Sequence, residues 1–356
     1  MNHPTKTLRK LHVSAGTPGV RGRIRVPTPV LAVVAVGVVL VLYPRLVTTS
    51  FGQNVGVLAL TIGIAATGWN LLGGFTGQVS FGHALFFGTG MYGTAMLVER
   101  GWSPWLAAIP CMAIAAALAV LIGLPCFRLR GHYFSIATIA VGEIAFTIVL
   151  TIAAFGAAQG ISVPSHDESV WNLQLSLRDK TAYYEVALGL FGFATLVAWL
   201  FVRSRAGRYV RAVRDDERAA AAVGIPVLRY KLLAAALSAA ITALAGMFQV
   251  MHVLFVDPPS GLDLSISISI ALVAVVGGAG SLWGPLLGAW VVVFLQEYTR
   301  THWSSTGRTI DLLVYGALIT VVAIAEPRGL VGLIRRGYRA VLRLRDRPRA
   351  EAVMSS

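Results

Sequence analysis

The sequence predicts an all-α polytopic membrane protein with about ten transmembrane helices, Gly-rich breaks between some of them, and both termini in the cytosol. The first observation behind this fold class is composition: 56% of the 356 residues are hydrophobic, 13% are charged, and the mean hydropathy is +0.71. Soluble domains carry about 25% charged residues, so this composition is typical of a membrane protein. The second observation is that the apolar residues form long runs, and the third is that the basic residues cluster between those runs.

Ten apolar runs can be traced, and most reach or approach the ~20 residues that a spanning helix needs. They cover residues 30–47, 54–72, 80–98, 104–127, 133–157, 183–202, 231–252, 265–279, 285–298 and 309–326. No small-x-small cleavage site follows the first run, which is therefore expected to be an uncleaved span. The predicted organisation is a basic cytosolic tail (1–29), a transmembrane domain (30–335) and a second basic cytosolic tail (336–356).

The basic residues predict the orientation of these spans. With the N-terminus in the cytosol, residues 1–29, 128–130, 203–231 and 328–349 lie on the cytosolic side and hold 24 of the 30 lysines and arginines. This excess agrees with the positive-inside rule and requires an even number of spans. The formal net charge of +14 therefore predicts cytosolic segments next to anionic membrane lipid, and we expect no nucleic-acid partner.

Residues 203–231, the charged loop, interrupt the apolar pattern most strongly. They hold 8 of the 30 basic and 3 of the 16 acidic residues, although an apolar run lies on each side. Such a segment must lie in water while its flanks lie in lipid or in a protein core.

The charged loop also predicts a short helix over Arg218 to Val223. Asp215 and Asp216 are suited to cap its start, and Glu217 adds negative charge where the helix dipole favours it. Gly224 suits the position just after the helix, where a left-handed conformation is common. We expect this helix to lie outside the membrane, where another protein contacts it.

Several function classes lack the motifs that they need. The chain contains no GxxxxGK[ST] loop for nucleotide phosphates, no HExxH or GxSxG motif, and no paired-cysteine metal pattern. Its two cysteines, Cys111 and Cys126, would stand about 22 Å apart on one helix, too far for a disulfide. We therefore expect neither an enzyme nor a cofactor site in this chain.

Two Gly-rich stretches interrupt the apolar runs: residues 73–83, the first break, and residues 277–285, the second break. Backbone that leaves the helix near a membrane needs protein or a water-filled path around it, so such breaks can line a transport route or a gate. Glycines that only let helices turn and pack closely are the alternative. The candidate residues in these breaks are Gln78, Ser80, His83, Gly277 and Gly278.

Three polar residues within the apolar runs are further candidates for the transport path. Glu143 lies in the fifth run, where a carboxyl group is costly unless it faces the interior of a bundle, so a transport role or a structural hydrogen bond is expected. Asn70 near the end of the second run has the same two interpretations. Ser267 belongs to an alternating Ser-Ile stretch that is expected to be helical, since an isolated strand cannot span lipid.

Several motifs, in order, resemble the permease subunits of branched-chain amino acid ABC importers. The matching stretches are Trp69 to Ala84, Leu129 to Phe134 followed by Ala137-Thr138 and Gly142-Glu143-Ile144, Gly207-Arg208, Arg214 to Glu217 with Gly224 and Ile225, Pro258 to Pro285, and Pro327 to Leu330. Together they cover about residues 58–333. The versions at Tyr133-Phe134 and Arg214 to Glu217 are more similar to the LivM-like subunit than to the LivH-like one.

This resemblance implies a subunit of an importer in a bacterial plasma (inner) membrane. Its partners would be a second, LivH-like permease, two cytosolic ATP-binding subunits that hold ATP and magnesium, and an external solute-binding protein. It also implies that the charged loop docks into an ATPase. The residues implied in coupling are Arg214, Asp215, Asp216, Glu217, Ala220 and Gly224.

Two alternatives stay open at this point. Urea and short-amide permeases have nearly the same motifs, and residues 156–161 depart from the threonine-glycine-glycine pattern frequent in the family. A different class, a self-sufficient ion-coupled transporter or channel, would use Glu143 and would need no ATPase.

Overall fold

The computed structural model describes residues 28–129, 131–165, 169–175, 180–303, 317, 329–333 and 336. The chain divides into two compact units, Met1–Leu40 and Val41–Ser356. The described part of the first unit is the beginning of helix α1.

The described residues form long helices joined by short connections. The α-helices are α1 Thr28–Leu46, α2 Ser50–Trp69, α3 His83–Glu99, α4 Pro104–Cys126, α5 His132–Thr151, α6 Thr181–Arg203, α7 Arg205–Asp215, α8 Glu217–Ala222, α9 Val227–Val253, α10 Pro258–Leu262, α11 Leu264–Gly278 and α12 Gly284–Trp303. Helix α2 continues directly into a π-helix, Asn70–Phe75. The helix bounds follow the predicted apolar runs closely because each run ends at a charged, Gly-rich or Pro-containing connection.

Six of these segments are long and apolar enough to cross a membrane. They are Ser50–Phe75, Pro104–Cys126, His132–Thr151, Thr181–Arg203, Val227–Val253 and Pro258–Gly278. The predicted run at 309–326 lies outside the described residues, and the total of about ten spans stays a prediction. The Ser-Ile alternation at 265–270 lies in α11 and is helical, as expected.

Helices α2 and α9 form the centre of the bundle. Of the 18 most apolar consecutive residues in Ser50–Phe75, which comprises α2 and the π-helix, 89% are buried, and the corresponding share in α9 is 72%. Helix α9 packs against α2, α3 and α4. It approaches α3 closely because a side-chain carbon at Gly246 would collide with the backbone of Phe87, and one at Gly90 with the backbone of Ala243. Such close approach through small residues is typical of helices in membranes.

A small two-stranded sheet lies at the end of the bundle opposite α7 and α8. Strand β1, Ile161–Ser162, pairs antiparallel with β2, Phe255–Val256. Two 3₁₀ turns, Ala153–Phe155 and Ala157–Gln159, lead from α5 to β1. The strand pairing therefore holds the long connection after α5 against the end of α9.

Candidate functional site

The charged loop contains two helices where the sequence predicted one. Helix α7 begins after Ser204, whose hydroxyl oxygen accepts a hydrogen bond from the Gly207 amide at 3.2 Å. Helix α8 begins after Asp216, whose carboxylate accepts hydrogen bonds from the amides of Arg218 and Ala219 at 2.8 and 3.0 Å. The prediction that Asp216 is a cap is confirmed. The prediction that Asp215 is a cap is wrong, because this residue is the last one of α7.

Helix α8 ends as predicted. Gly224 has φ +85°, the left-handed conformation that glycine adopts without steric cost. The Gly224 amide donates to the carbonyl of Ala221 at 3.0 Å, and the Ile225 amide donates to that of Ala220 at 3.1 Å. These two bonds form a Schellman motif, which closes the helix. Ala220 is the buried residue of α8.

A single ion pair ties α8 to α9. The Glu217 carboxylate accepts a hydrogen bond from the Lys231 ammonium at 2.7 Å. The Lys231 side chain is only 3% exposed, whereas that of Glu217 is 48% exposed. Both residues line a cavity of about 380 Å³, together with Gln78 from the first break. A buried ammonium needs such a partner, so Glu217 fixes the position of α8 on the bundle.

Arg214 connects α7 to the first break. Its guanidinium Nη1 donates a hydrogen bond of 2.5 Å to the carbonyl of Gly74, in the π-helix after α2. A side-chain carbon at Gly280, in the second break, would lie 2.5 Å from the same nitrogen. The guanidinium therefore lies against both breaks at once.

Asn70, which lies three residues before the first break, binds the second break directly. Its Oδ1 accepts a hydrogen bond from the Gly280 amide at 2.7 Å, and its Nδ2 donates to the Ser281 carbonyl at 2.8 Å. Asn70 is 2% exposed, so both polar ends of its side chain are used within the protein. Of the two interpretations left open for this residue, its contacts are those of the structural one.

The remaining candidates of the first break are mostly buried. Ser80 is 3% exposed, and its carbonyl accepts a hydrogen bond from the Trp69 indole at 2.7 Å. His83 is fully buried, and its Nε2 lies 2.9 Å from the hydroxyl of Ser238 on α9. Gln78 is half-buried and lines the cavity beside α8.

Ser267 also has a partner at the first break. It is 1% exposed, and its hydroxyl oxygen accepts a hydrogen bond of 2.7 Å from the amide of Ala84, in the first turn of α3. A helix start has amides without partners in the helix, so Ser267 supplies an acceptor that the sequence of α3 lacks. In the second break, Gly277 and Gly278 are buried where α11 ends against α12.

Glu143 differs from all of these residues because it is exposed on the surface of the chain. It lies in the middle of α5, of which only 17% of the apolar window is buried. Thr147 and Thr151 follow on the same exposed face at helical spacing. The hydroxyl of Thr147 donates to the Glu143 carbonyl at 2.9 Å, so the face carries both a carboxylate and hydroxyl groups.

The comparisons with known proteins assign the chain to a family. The family model described as "Branched-chain amino acid transport system / permease component" matches residues 51–323. The chain belongs to this family. It is therefore a permease component and a multi-pass membrane protein, in agreement with its six apolar helices.

Two relatives from Escherichia coli K12 are permease proteins of a high-affinity branched-chain amino acid transport system. The chain is 29% identical over 329 residues to the high-affinity branched-chain amino acid transport system permease protein LivM, covering 86% of this chain and 75% of LivM. It is 24% identical over 292 residues to the permease protein LivH of the same transport system, covering 77% of this chain and 92% of LivH. The greater likeness to LivM agrees with the motif versions noted above.

One solved structure is also similar to the permease. PsaBC from Streptococcus pneumoniae in complex with Fab aligns with a TM-score of 0.41 at 16% identity, over 76% of this chain and 90% of that one. A TM-score below 0.5 does not establish a shared fold.

Two residues of the permease that contact the breaks were not among the site residues expected from the sequence, although Thr138 belongs to one of the matching motifs. The hydroxyl of Ser135 on α5 donates to the Val79 carbonyl at 2.7 Å, and that of Thr138 accepts from the Phe81 amide at 3.1 Å. Ser and Thr are frequent at helix contacts in membranes, so their types alone did not mark them. Within the described part of the chain, no cluster of His, Cys, Asp and Glu side chains could hold a metal ion.

Proposed function

We propose that this permease is one of two permease subunits in an ATP-driven importer for branched-chain or other hydrophobic amino acids. The observation that carries the proposal is α8, a capped and largely exposed helix held between the membrane-spanning helices α6 and α9. An ATPase can push on a rigid element of this kind, whereas the chain has no phosphate-binding loop of its own. The family and the LivM and LivH relatives support the solute class.

The finer assembly follows from the same proposal. About ten spans place both termini and the charged loop in the cytosol of a bacterium, with the permease in its inner membrane. Two cytosolic ATP-binding subunits bind ATP and magnesium, and one of them docks on α8. An external solute-binding protein delivers the amino acid at the opposite end of the bundle. Gln78, Ser80, His83, Ser267, Gly277 and Gly278 lie at or beside the breaks that form the gate.

The exposed faces of α4 and α5 support a place for the second permease. The exposed residues of α4 are all apolar, among them Ile109, Ile114 and Leu121. An apolar surface of this kind is suited to contact lipid tails. The exposed face of α5 carries Glu143 and Thr147, and a carboxylate that faces lipid is costly. We place the second permease opposite α5, with the solute route between the two subunits and Glu143 on that route.

Reconstitution of the complete importer tests this function. The permease, a LivH-like permease, the ATPases and a leucine-loaded binding protein are assembled in liposomes, and leucine uptake is measured with and without ATP. We expect uptake only with ATP and with all components. Uptake by the purified permease alone, abolished by Glu143→Gln, would instead support the ion-coupled transporter. Uptake of urea in place of leucine would support the short-amide importer.

The role of Glu143 is tested in the same liposomes. Replacing the carboxylate with an amide of the same shape removes the charge from the route, so Glu143→Gln is expected to lower leucine uptake at least tenfold. The matched control is Ile114→Gln on α4, which faces lipid in our proposal. Its uptake per assembled complex should stay within about twofold of wild type. Equal effects of the two variants would contradict the placement of the route at α5.

A further inference from the structure

The contacts at the end of α2 join parts of the chain that are far apart in sequence. Arg214 and Gly74 are 140 residues apart, and Asn70 and Gly280 are 210 residues apart. All four residues meet at one point, where the π-helix, the second break and α7 come together. Hydrogen bonds of this kind link three separate segments, so a displacement of one segment is expected to displace the other two.

The geometry at this point depends on the absence of side chains. A side-chain carbon at Gly74 would collide with Oδ1 of Asn70 and would lie 2.5 Å from the Gly280 amide nitrogen. Gly74 therefore leaves the space through which the Asn70 amide reaches the second break. Gly280 has φ +79° and leaves the space for the guanidinium of Arg214.

The first break also forms hydrogen bonds with α5. The backbone at Val79 and Phe81 is held by the hydroxyls of Ser135 and Thr138. Thr138 lies five residues before Glu143, less than two turns along the same helix. A displacement of the first break therefore displaces the helix that carries the exposed carboxylate.

From these contacts we infer that Arg214 is the positioning residue through which movement of α7 reaches both breaks and α5. This inference rests on the proposed function, since it names how the movement of α8 and α7 reaches the gate. Arg214 acts here within the permease, through the contact of its guanidinium with the Gly74 carbonyl. Asn70 extends the same connection from the first break to the second.

Arg211 provides a matched control on the same helix. Its guanidinium donates to the carbonyls of Gly207 and Val202 at 3.1 and 3.2 Å, which belong to α7 itself and to the adjoining end of α6. Arg211→Ala thus removes the same charge, and two hydrogen bonds where Arg214→Ala removes one, without touching a break. The two variants differ in whether the lost contact reaches the gate.

The first experiment measures leucine molecules transported per ATP hydrolysed by the complete reconstituted importer. We expect Arg214→Ala to lower this ratio at least fivefold, Arg214→Lys to lower it less, and Arg211→Ala to stay within twofold of wild type. Copurification of the ATPases checks that each complex is assembled. Equal ratios for Arg214→Ala and Arg211→Ala would overturn the inference. Wild-type transport without ATP would instead contradict the proposed function, so the two failures are distinguishable.

The second experiment replaces the Arg214 contact with a covalent bond. A side-chain carbon at Gly77 would lie 3.6 Å from Cβ of Arg214, within the range of about 3.5 to 4.5 Å found across disulfides. A cysteine at Gly77 is strained because the backbone there has φ +74°, so the double variant is compared with the single variant Gly77→Cys. In the variant Gly77→Cys with Arg214→Cys, the reduced importer should be uncoupled and the oxidised one should regain at least half of the ratio of Gly77→Cys alone. The single variant Gly77→Cys, which should not respond to oxidant, is the control. An oxidised double variant as uncoupled as the reduced one would show that α7 and the first break move independently.

Discussion

The two helices of the charged loop differ in the direction of their contacts. Helix α7 buries Val210 and Val213 against the bundle and sends Arg214 to the first break. Helix α8 buries only Ala220 among its six residues and is followed by Val223, which is 77% exposed. A loop that only connected two spans would need neither arrangement. The exposed surface of α8 is therefore suited to contact another protein. The buried side of α7 is suited to transmit a displacement of α8 to the first break.

The largest effect is expected where α8 closes. Gly224→Val places a β-branched residue at φ +85°, a conformation that such residues rarely adopt, so the Schellman closure should open. We expect ATP-driven leucine uptake by the complete importer to fall more than tenfold. No atom lies within 4 Å of a side-chain carbon built at this glycine, so the effect comes from backbone strain and not from a collision.

Gly224→Asn is the matched control, because asparagine tolerates the left-handed conformation better than other residues. Its uptake should stay within about twofold of wild type. If the valine variant transports at the wild-type rate, α8 is not the element that the ATPase pushes.

Local chemistry explains which parts of this region could be predicted from sequence. The cap at Asp216 and the closure at Gly224 depend on neighbours three to five residues away, so the sequence contains the full signal. Helix α7 was missed because its arginines at 205, 208, 211 and 214 resemble a solvated segment. Its formation depends on burial of Val210 and Val213 where α7 packs against α6, α9 and the π-helix, and this packing is not visible in the local sequence.

The same reasoning applies to the polar residues in the membrane. The helix bounds were predictable because an apolar run of about twenty residues has few alternatives in lipid. The Gly280 amide, which donates a hydrogen bond to Asn70, is 210 residues away in the chain, and no local sequence pattern predicts this contact. Glu143 was expected to face protein, yet no face of this chain covers it within the described residues. In our proposal its environment is formed by a second chain, which a single sequence does not contain.

A second prediction concerns the ion pair that anchors α8. Glu217→Gln leaves the Lys231 ammonium, 3% exposed, without a charged partner. We expect the free energy of unfolding to fall by about 1–3 kcal/mol, less than for a fully buried pair because Glu217 is half exposed. The apparent melting temperature of the purified complex measures this effect.

The double variant Glu217→Gln with Lys231→Met removes the unpaired charge and should recover most of the lost stability. A single variant as stable as wild type would mean that α8 is anchored by other contacts. In that case the ion pair with Lys231 would not be what fixes the position of α8 on the bundle.

A third prediction applies one chemical change to both helices. Val213→Ala removes two methyl groups from a buried side chain, 3% exposed, and should lower the free energy of unfolding by about 1–2 kcal/mol. Val223→Ala removes the same groups from an exposed side chain and should change it by less than about 0.5 kcal/mol. The second variant should instead weaken ATPase binding severalfold in a pull-down titration. A loss of stability at both positions would contradict the outward orientation of α8.

The smallest effect is expected at the start of α8. The amides of Ala219 and Arg218 donate to the Asp216 carboxylate and hold its pKa below the ordinary value of 3.8. Because the pKa is lowered in the folded protein, the cap stabilises α8 above pH 4 and is lost as the pH falls through the lowered pKa. Asp216→Ala should therefore speed hydrogen exchange at the amides of Arg218 and Ala219 severalfold at pH 7, whereas Asp216→Asn, which keeps an acceptor oxygen, should exchange nearly as slowly as wild type. Hydrogen exchange at the Val213 amide in α7 should not change in either variant. A change there would mean that α7 and α8 unfold together, which would contradict the distinction between the two helices.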